Sequence, residues 1–162
     1  MSKNSAGATS VARVEVATVD SADLIVGLTR EFYDSEDYPF DSRAVYSAVV
    51  QLLEAPDLGQ IWLVHARARP VGYATVTYGF SIEFGGKFAL LDELYIRPVF
   101  RSRGLGRHAL YVLLDEYSGR GFGTLRLEVE HRNGRALDLY SRLGFYRHDR
   151  AMMTRWLTAP RL

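Results

Sequence analysis

Two carboxylates, a glycine turn crowded by arginines, and an asparagine and a tyrosine seven residues apart are the groups in this sequence whose types and spacing could do chemistry. The carboxylates, Asp92 and Glu93, sit inside Phe88-Ala-Leu-Leu-Asp-Glu-Leu-Tyr-Ile96, a run that otherwise reads as a buried strand. Burying an unpaired carboxylate is expensive. Either this part of the strand lies at a solvated mouth or beside an arginine, or one carboxylate forms the floor of a cleft. Successive strand side chains point to opposite faces, so at most one of the two normally aims at a given pocket.

The strand runs through Arg97-Pro98 into Arg101-Ser-Arg-Gly-Leu-Gly106 and then into an apolar-periodic helix. That order suits an anion. Glycines let the backbone approach a ligand closely, and the first N–H groups of a helix have no intrahelical partner, so a phosphate can supply one. Alone, the glycine pattern reads equally as an ordinary strand-to-helix turn. A second segment follows, Leu127-Glu128-Val-Glu130-His-Arg-Asn133, then Ala136-Leu137-x-Leu139-Tyr140-x-x-Leu143-Gly144-Phe145. Asn133 and Tyr140 lie two helical turns apart and share a face. Tyr140 also reads as an amphipathic residue bordering the stripe of Ala136, Leu139 and Leu143.

The chain has 162 residues and a net charge of +1, which suits one soluble domain with a sizeable core and gives no case for a nucleic-acid binder. Charge is instead local: Arg97, Arg101, Arg103 and Arg107 crowd the glycine turn, while Asp34, Glu36, Asp37 and Asp41 crowd a segment far upstream. The chain has no cysteine, which excludes disulfides, thiolate metal sites and cysteine nucleophiles. His65, His108, His131 and His148 lack metal-ligand spacing with nearby carboxylates, so no metal site is expected. No run approaches the roughly 18 apolar residues of a membrane span, and the N-terminus lacks a signal-like apolar stretch. A cytoplasmic location is the default expectation, with residues 1–10 as a flexible tail and 11–162 as one domain.

Those groups need positioning elements. Val11 to Thr18 reads as a first strand, with Asp20 or Ser21 capping a helix to about Tyr33. Asp41 caps a second helix, Ser42 to Glu54. Gln60 to Ala66 and Val71 to Phe80 form a hairpin, followed by a loop and the strand to Ile96. A helix from about Gly104 to Ser118 carries a stripe of Leu105, Ala109, Val112, Leu113 and Tyr117. Thr124 to Glu130 alternates as a strand, Asn133 caps a short helix to Leu143, and Phe145 to His148 and Ala151 to Leu157 read as two closing strands. The pattern is β-α-α-β-β-β-α-β-α-β-β: an α/β or α+β domain with a mixed sheet of about seven strands and about four helices on its faces.

Together the segments over roughly residues 88–148 resemble the GNAT superfamily of acyl-CoA-dependent N-acetyltransferases. The turn matches its pyrophosphate loop, Gln/Arg-x-x-Gly-x-Gly/Ala, and the second segment matches its Asn and Tyr helix ending in Gly-Phe. The resemblance implies a mostly antiparallel sheet in which two parallel strands splay apart and the pantetheine arm of acetyl-CoA fills the gap. It implies that backbone groups of Leu94, Tyr95 and Ile96 bond the arm, that the amides of Arg101, Ser102, Arg103, Gly104, Leu105, Gly106 and Arg107 cradle the pyrophosphate, that Asn133 bonds the pantetheine, and that Tyr140 aims its hydroxyl at the sulfur. Dimers are common in that family, although no residue here demands one.

The implied reaction moves an acetyl group to a primary amine. An amine of pKa about 10.4 costs about 4.6 kcal/mol to deprotonate at neutral pH, so a base is needed. Glu93 is the first candidate. Glu128 is the second, because its Leu-Glu-Val run resembles that of ribosomal-protein N-terminal acetyltransferases, in which the matching glutamate is the base; it also reads as a solvated or paired strand residue beside Arg126 and Glu130. Tyr33-Asp-Ser-Glu-Asp-Tyr-Pro-Phe-Asp41 suits a small cationic amine, with Glu36 and Asp37 supplying charge and Tyr33, Tyr38 and Phe40 packing on an alkyl chain or ammonium. Tyr78, Phe80 and Phe84 are the candidates for the opposite wall. A solvated loop in which Asp41 merely caps a helix is the plainer account of the acidic segment. Transfer to a peptide N-terminus or protein lysine is the alternative acceptor, and a non-catalytic acyl-CoA sensor the alternative of another class.

Overall fold

The computed structural model describes residues 12–157. The tail expected over residues 1–10 lies outside them. The elements are β1 (Ala12–Val16), α1 (Ala22–Glu36), α2 (Ser42–Glu54), β2 (Gly59–Ala66), β3 (Arg69–Ser81), β4 (Gly86–Ile96), α3 (Leu105–Gly119), β5 (Thr124–Leu127) and α4 (Gly134–Arg142). Short 3-10 turns at Val19–Ser21 and Pro98–Phe100 lead into α1 and toward α3.

The strands form one sheet in the order β1-β2-β3-β4-β5, antiparallel except for the parallel pair β4–β5. On one face α1 and α2 bury Ile25, Leu28 and Val49 against Ile61, Leu63, Tyr73 and Tyr95. On the other, α3 buries Leu110, Leu113 and Tyr117 against Trp62, Ala74, Val76, Ala89 and Leu91, and Leu139, Tyr140 and Leu143 of the α4 region border that cluster. Each fully buried Leu or Ile contributes about 2 kcal/mol of apolar transfer, so the two layers hold the sheet from both sides.

Local signals place several elements as expected. Asp41 Oδ1 accepts from the N–H groups of Arg43 and Ala44 at 2.9 and 3.1 Å, capping α2. Asn133 Oδ1 accepts from Ala136 N–H at 3.1 Å, capping α4. The start of α1 differs: Ser21 stands at the cap position with no side-chain bond, because the 3-10 turn supplies the entry. α1 also runs one turn beyond Tyr33, to Glu36, and ends at Asp37 in the left-handed region with φ 57°. Aspartate tolerates that conformation better than most residues, so the acidic segment begins as helix rather than loop.

The expected sheet of seven strands is corrected to five among the described residues. β5 stops at Leu127 rather than Glu130, and Phe145 to His148 and Ala151 to Leu157 form no strand. Alternation is only half of what a strand needs; its N–H and C=O groups must also meet a ladder partner. After α4 the chain is largely exposed, with Tyr146, Met152, Met153 and Leu157 open to solvent, and it is held by side chains, chiefly the Arg150–Glu83 ion pair at 2.6 Å.

Candidate active site

β4 is the strand on which the site is built, and a bulge sets its geometry. Leu91 pairs with Val76 and Glu93 with Thr75, which leaves Asp92 as the extra residue. The bulge inverts the alternation. Ala89 and Leu91 face α3, but beyond Asp92 it is Leu94 and Ile96 that pack on that side, while Tyr95 joins the α1 face. Glu93 turns with Tyr95. Its Oε1 accepts from the Tyr33 hydroxyl of α1 and its Oε2 from the Tyr73 hydroxyl of β3, both at 2.8 Å. Burial pushes the Glu93 carboxyl above the usual carboxylate range; the two phenol bonds pull it back and neighbouring Asp92 pushes it further up. Asp92 stays exposed at the bulge, and partial loss of water raises its carboxyl too.

The other edge of β4 opens. β5 pairs with it only from Phe88–Thr124 to Leu91–Leu127, and β4 continues alone to Ile96. Arg97 N–H donates to Val71 C=O at 2.9 Å, which makes that opposed pair a hydrogen-bonded one. Alternation then turns the main-chain groups of Tyr95 and Glu93 toward β3 and those of Leu94 and Ile96 toward the gap. Of the three residues expected to offer backbone groups, Leu94 and Ile96 therefore face the opening and Tyr95 does not. Ile96 C=O already accepts from Arg101 Nε at 2.7 Å, which leaves its N–H.

Below the gap the chain makes the turn into α3. Ser102 and Gly104 both adopt left-handed conformations, φ 62° and 80°. The first helical bond is His108 N–H to Gly104 C=O, so the N–H groups of Leu105, Gly106 and Arg107 have no intrahelical acceptor. Arg101 N–H is already spent on Pro98 C=O. A Cβ on Gly106 would stand in open space, so the mouth of the turn is clear. Arg101 lies over the Tyr95 ring at 5.7 Å and Arg103 over Phe100 at 5.4 Å. Arg135 of α4 donates to Ser102 Oγ at 2.7 Å, joining the turn to the opposite lip. An open strand edge leading to a turn of unpaired amides and arginines fits a molecule with an amide-bearing arm and a diphosphate, which is the shape of acetyl-CoA.

Tyr140 is half-buried on α4, edge-on to Phe145 at 5.6 Å, with burial raising its hydroxyl above the usual tyrosine value. Among the described residues that hydroxyl has no hydrogen-bond partner. Glu128 is exposed just past β5 and makes no ion pair or side-chain hydrogen bond among the described residues. The strand face expected to join it to Arg126 is absent, and Arg126 instead lies over Phe84 and Phe88, at 4.9 and 5.0 Å.

On the α1 side, Tyr33 meets Tyr38 at 5.8 Å and Phe40 at 6.1 Å, both edge-on, and Arg30 covers Phe40 at 4.8 Å. Glu36 is half-buried and Asp37 exposed beside them. Phe84 is not part of this group: it packs with His148 at 6.0 Å and Arg126 at the hairpin tip, roughly 20 Å along β4 from Glu93 at about 3.3 Å per residue. Tyr78 is also elsewhere, against Phe122 at 4.8 Å, and Phe80 is 72% exposed. The structure adds groups that sequence reasoning passed over. Tyr73 is one, hidden among core aromatics until its hydroxyl finds Glu93. Glu31 is another, bound to Arg97 Nε and one terminal nitrogen at 2.8 and 2.7 Å, which lowers its carboxyl below the usual range and ties α1 to the end of β4.

Among the described residues no group of three or more histidines and carboxylates could hold a metal ion, and no helix is long and apolar enough to cross a membrane.

The profile of the Acetyltransferase (GNAT) family matches residues 25–145. The [ribosomal protein bS18]-alanine N-acetyltransferase of Escherichia coli (strain K12) is 32% identical over 117 residues, covering 59% of this chain and 79% of that protein. The thialysine N-epsilon-acetyltransferase of Bos taurus is 32% identical over 74 residues, 46% of this chain and 43% of that protein. An integron cassette protein from the mobile metagenome of Cole Harbour Salt Marsh superposes with a TM-score of 0.81 at 33% identity, over 91% of each chain. At 14% identity, the fold is also shared with the aminoglycoside N-acetyltransferase AAC(6')-Iy in complex with CoA, with a TM-score of 0.78 over 91% of this chain and 96% of that one. With the profile spanning most of the chain and the open strand edge above the amide turn where such a cofactor would lie, this chain belongs to the GNAT acetyltransferase family and is an acetyl-transferring enzyme that uses acetyl-CoA.

Proposed function

We propose that the enzyme acetylates the primary amine of a small cationic molecule, with Glu93 as the base and Tyr140 as the acid. The observation that carries this reading is the Glu93 carboxylate, held by two phenols beneath the aromatic group of Tyr33, Tyr38 and Phe40. Aromatic faces and a carboxylate together attract an ammonium and strip it of water, and Glu36 and Asp37 add to the attraction.

Acetyl-CoA supplies an activated thioester carbonyl. The chain's own groups do the rest. Leu94 and Ile96 offer main-chain groups to the pantetheine arm, and Asn133 offers its side-chain amide nitrogen, its oxygen being committed to the α4 cap. The amides of Leu105, Gly106 and Arg107, helped by Ser102, Arg103 and Gly104, receive the diphosphate. Glu93 takes a proton from the amine, directly or through one water; its raised pKa brings it closer to the operating pH, where a base works best. Ile96 N–H faces the gap where charge develops on the acyl oxygen. Tyr140, neutral because burial holds its proton, donates to the departing sulfur.

A second reading has a specific support. The likeness to the bS18-alanine N-acetyltransferase and the exposed Glu128 ahead of Asn133 favour a peptide N-terminus as acceptor, with Glu128 as the base. A thiol-release assay with acetyl-CoA across polyamines, aminoglycosides, thialysine-like amino acids and N-terminal peptides separates the two. The first reading expects kcat/KM to be highest for a small amine and to fall in Glu93→Gln. Preference for an alanine-terminated peptide, with activity lost in Glu128→Gln and kept in Glu93→Gln, would replace it with the second.

A further inference from the structure

The two phenols that grip Glu93 differ in kind. Tyr73 is fully buried on β3, where its ring packs in the core cluster with Ile25 and Leu28, and its hydroxyl donates to Oε2. Away from Glu93 its hydroxyl would meet only the core and the buried Thr29 hydroxyl, with no water, so the surrounding core holds that bond in place. Tyr33 is half-buried on the last turn of α1, edge-on to Tyr38 and Phe40, and its hydroxyl donates to Oε1 from the wall the acceptor would touch. Its hydroxyl lies nearer to solvent than that of Tyr73, so water can replace Glu93 as its partner. An ammonium donates a charge-assisted hydrogen bond, which is stronger than that of a neutral phenol.

We infer that Tyr73 is a fixed positioning residue for Glu93, and that Tyr33 is an exchangeable partner whose place at Oε1 is taken by the acceptor's amine nitrogen. This rests on the reading of Glu93 as the base. In the free enzyme Tyr33 satisfies the oxygen that must later receive a proton. On binding, the ammonium replaces it, and one N–H proton passes to Oε1, leaving a neutral amine and a neutral carboxyl that later returns its proton to water. The Asp92 bulge is what makes this arrangement available, since unbroken alternation would put Glu93 on the opposite face. The titratable groups facing Glu93 are Tyr33 from α1, Tyr73 from β3 and Asp92 from its own strand, with Tyr38 beside Tyr33.

The pH profiles of kcat/KM and kcat distinguish the two roles, because the first reports the free enzyme and the second the complex. Wild type, Tyr73→Phe, Tyr33→Phe and Glu93→Gln are compared with one accepted amine. Each lost phenol bond favoured the charged carboxylate, so its removal moves the ascending limb to higher pH, by about one pH unit. Tyr73→Phe is expected to move the limb in both profiles. Tyr33→Phe is expected to move it in kcat/KM and to leave it unmoved in kcat, the amine having already displaced the phenol. A kcat limb moved equally by Tyr33→Phe, or moved by neither variant, overturns the inference. If Glu93→Gln keeps both limbs, the base reading itself fails, and the two failures are thereby told apart. Should Tyr73→Phe not fold, as judged by thermal unfolding with coenzyme A present, carbon-13 titration of the Glu93 carboxyl in wild type and Tyr33→Phe, with coenzyme A and amine bound, decides: matching midpoints support exchange, and a persistent difference overturns it.

Discussion

The two edges of β4 are made from the same eleven residues and do opposite work. Toward β3 the strand is paired from Gly86–Ser81 to Ile96–Gly72, interrupted only at the Asp92 bulge. Toward β5 it is paired over Phe88–Leu91 and then left open. The closed edge fixes where Glu93 and Tyr95 point, and the open edge leaves Leu94 and Ile96 with main-chain groups to offer. The difference lies in the neighbour's length: β5 stops at Leu127, and the unpaired edge of β4 beyond Leu91 is the one proposed to receive the cofactor.

The largest expected effects fall on the chemistry. Glu93→Gln and Tyr140→Phe remove the proposed base and the proposed acid, and each is expected to lower kcat about 100-fold, the ordinary yield of one acid or base. Glu93→Gln flattens the rise of kcat/KM with pH, and Tyr140→Phe leaves acetyl-CoA affinity nearly unchanged by calorimetry. Wild-type pH–rate profiles in both would remove the assignment.

The turn below the open edge comes next. Gly104 holds φ 80°, which a β-branched side chain adopts only under strain. Gly104→Val should cost about 1–3 kcal/mol of stability by chemical denaturation and weaken coenzyme A binding, while a valine at Gly106, where a Cβ meets nothing within 4 Å, should fold normally. Equal stability of the two variants would contradict the turn geometry.

A smaller effect belongs to the tie between α1 and the end of β4. Arg97→Ala removes a two-nitrogen grip on a partly exposed Glu31 and should cost about 1 kcal/mol. Glu31 is held below its usual pKa, so the stabilisation exists above the unfolded-state value and fades as pH falls through the folded one. The variant and wild type should therefore converge in acid, read as converging unfolding midpoints. The smallest effect has the opposite sign. Glu93 is raised by burial, so the native state holds its proton more tightly than the unfolded chain, and the stability cost of its charge is absent in acid and grows as pH climbs past the usual glutamate range. Glu93→Gln should gain stability relative to wild type at higher pH, and an advantage that shrinks with rising pH would contradict the burial.

What could be read from sequence divides along the same line. The strand to Ile96, the glycine turn, the Asp41 and Asn133 caps and the face shared by Asn133 and Tyr140 are local patterns, carried by residues within a few positions of one another. Five features depend on partners distant in the chain. The Asp92 bulge is visible only in the pairing with Thr75 and Val76, yet it decides which face Glu93 takes. Tyr73 lies 20 residues from Glu93 and reads as core until the fold joins them. The early end of β5 and the unpaired segment after Leu143 alternate like strands and lack a ladder. Phe84 is aromatic and near a loop, as an acceptor wall would be, but the hairpin carries it to the far end of β4.

The most direct measurement is amide hydrogen exchange, residue by residue, with and without coenzyme A. The open-edge account predicts that Leu94 and Ile96, and the turn amides from Leu105 to Arg107, exchange more slowly once the cofactor binds, while Tyr95, already paired to β3, changes little. Binding that protects Tyr95 and leaves Leu94, Ile96 and the turn unchanged would contradict it.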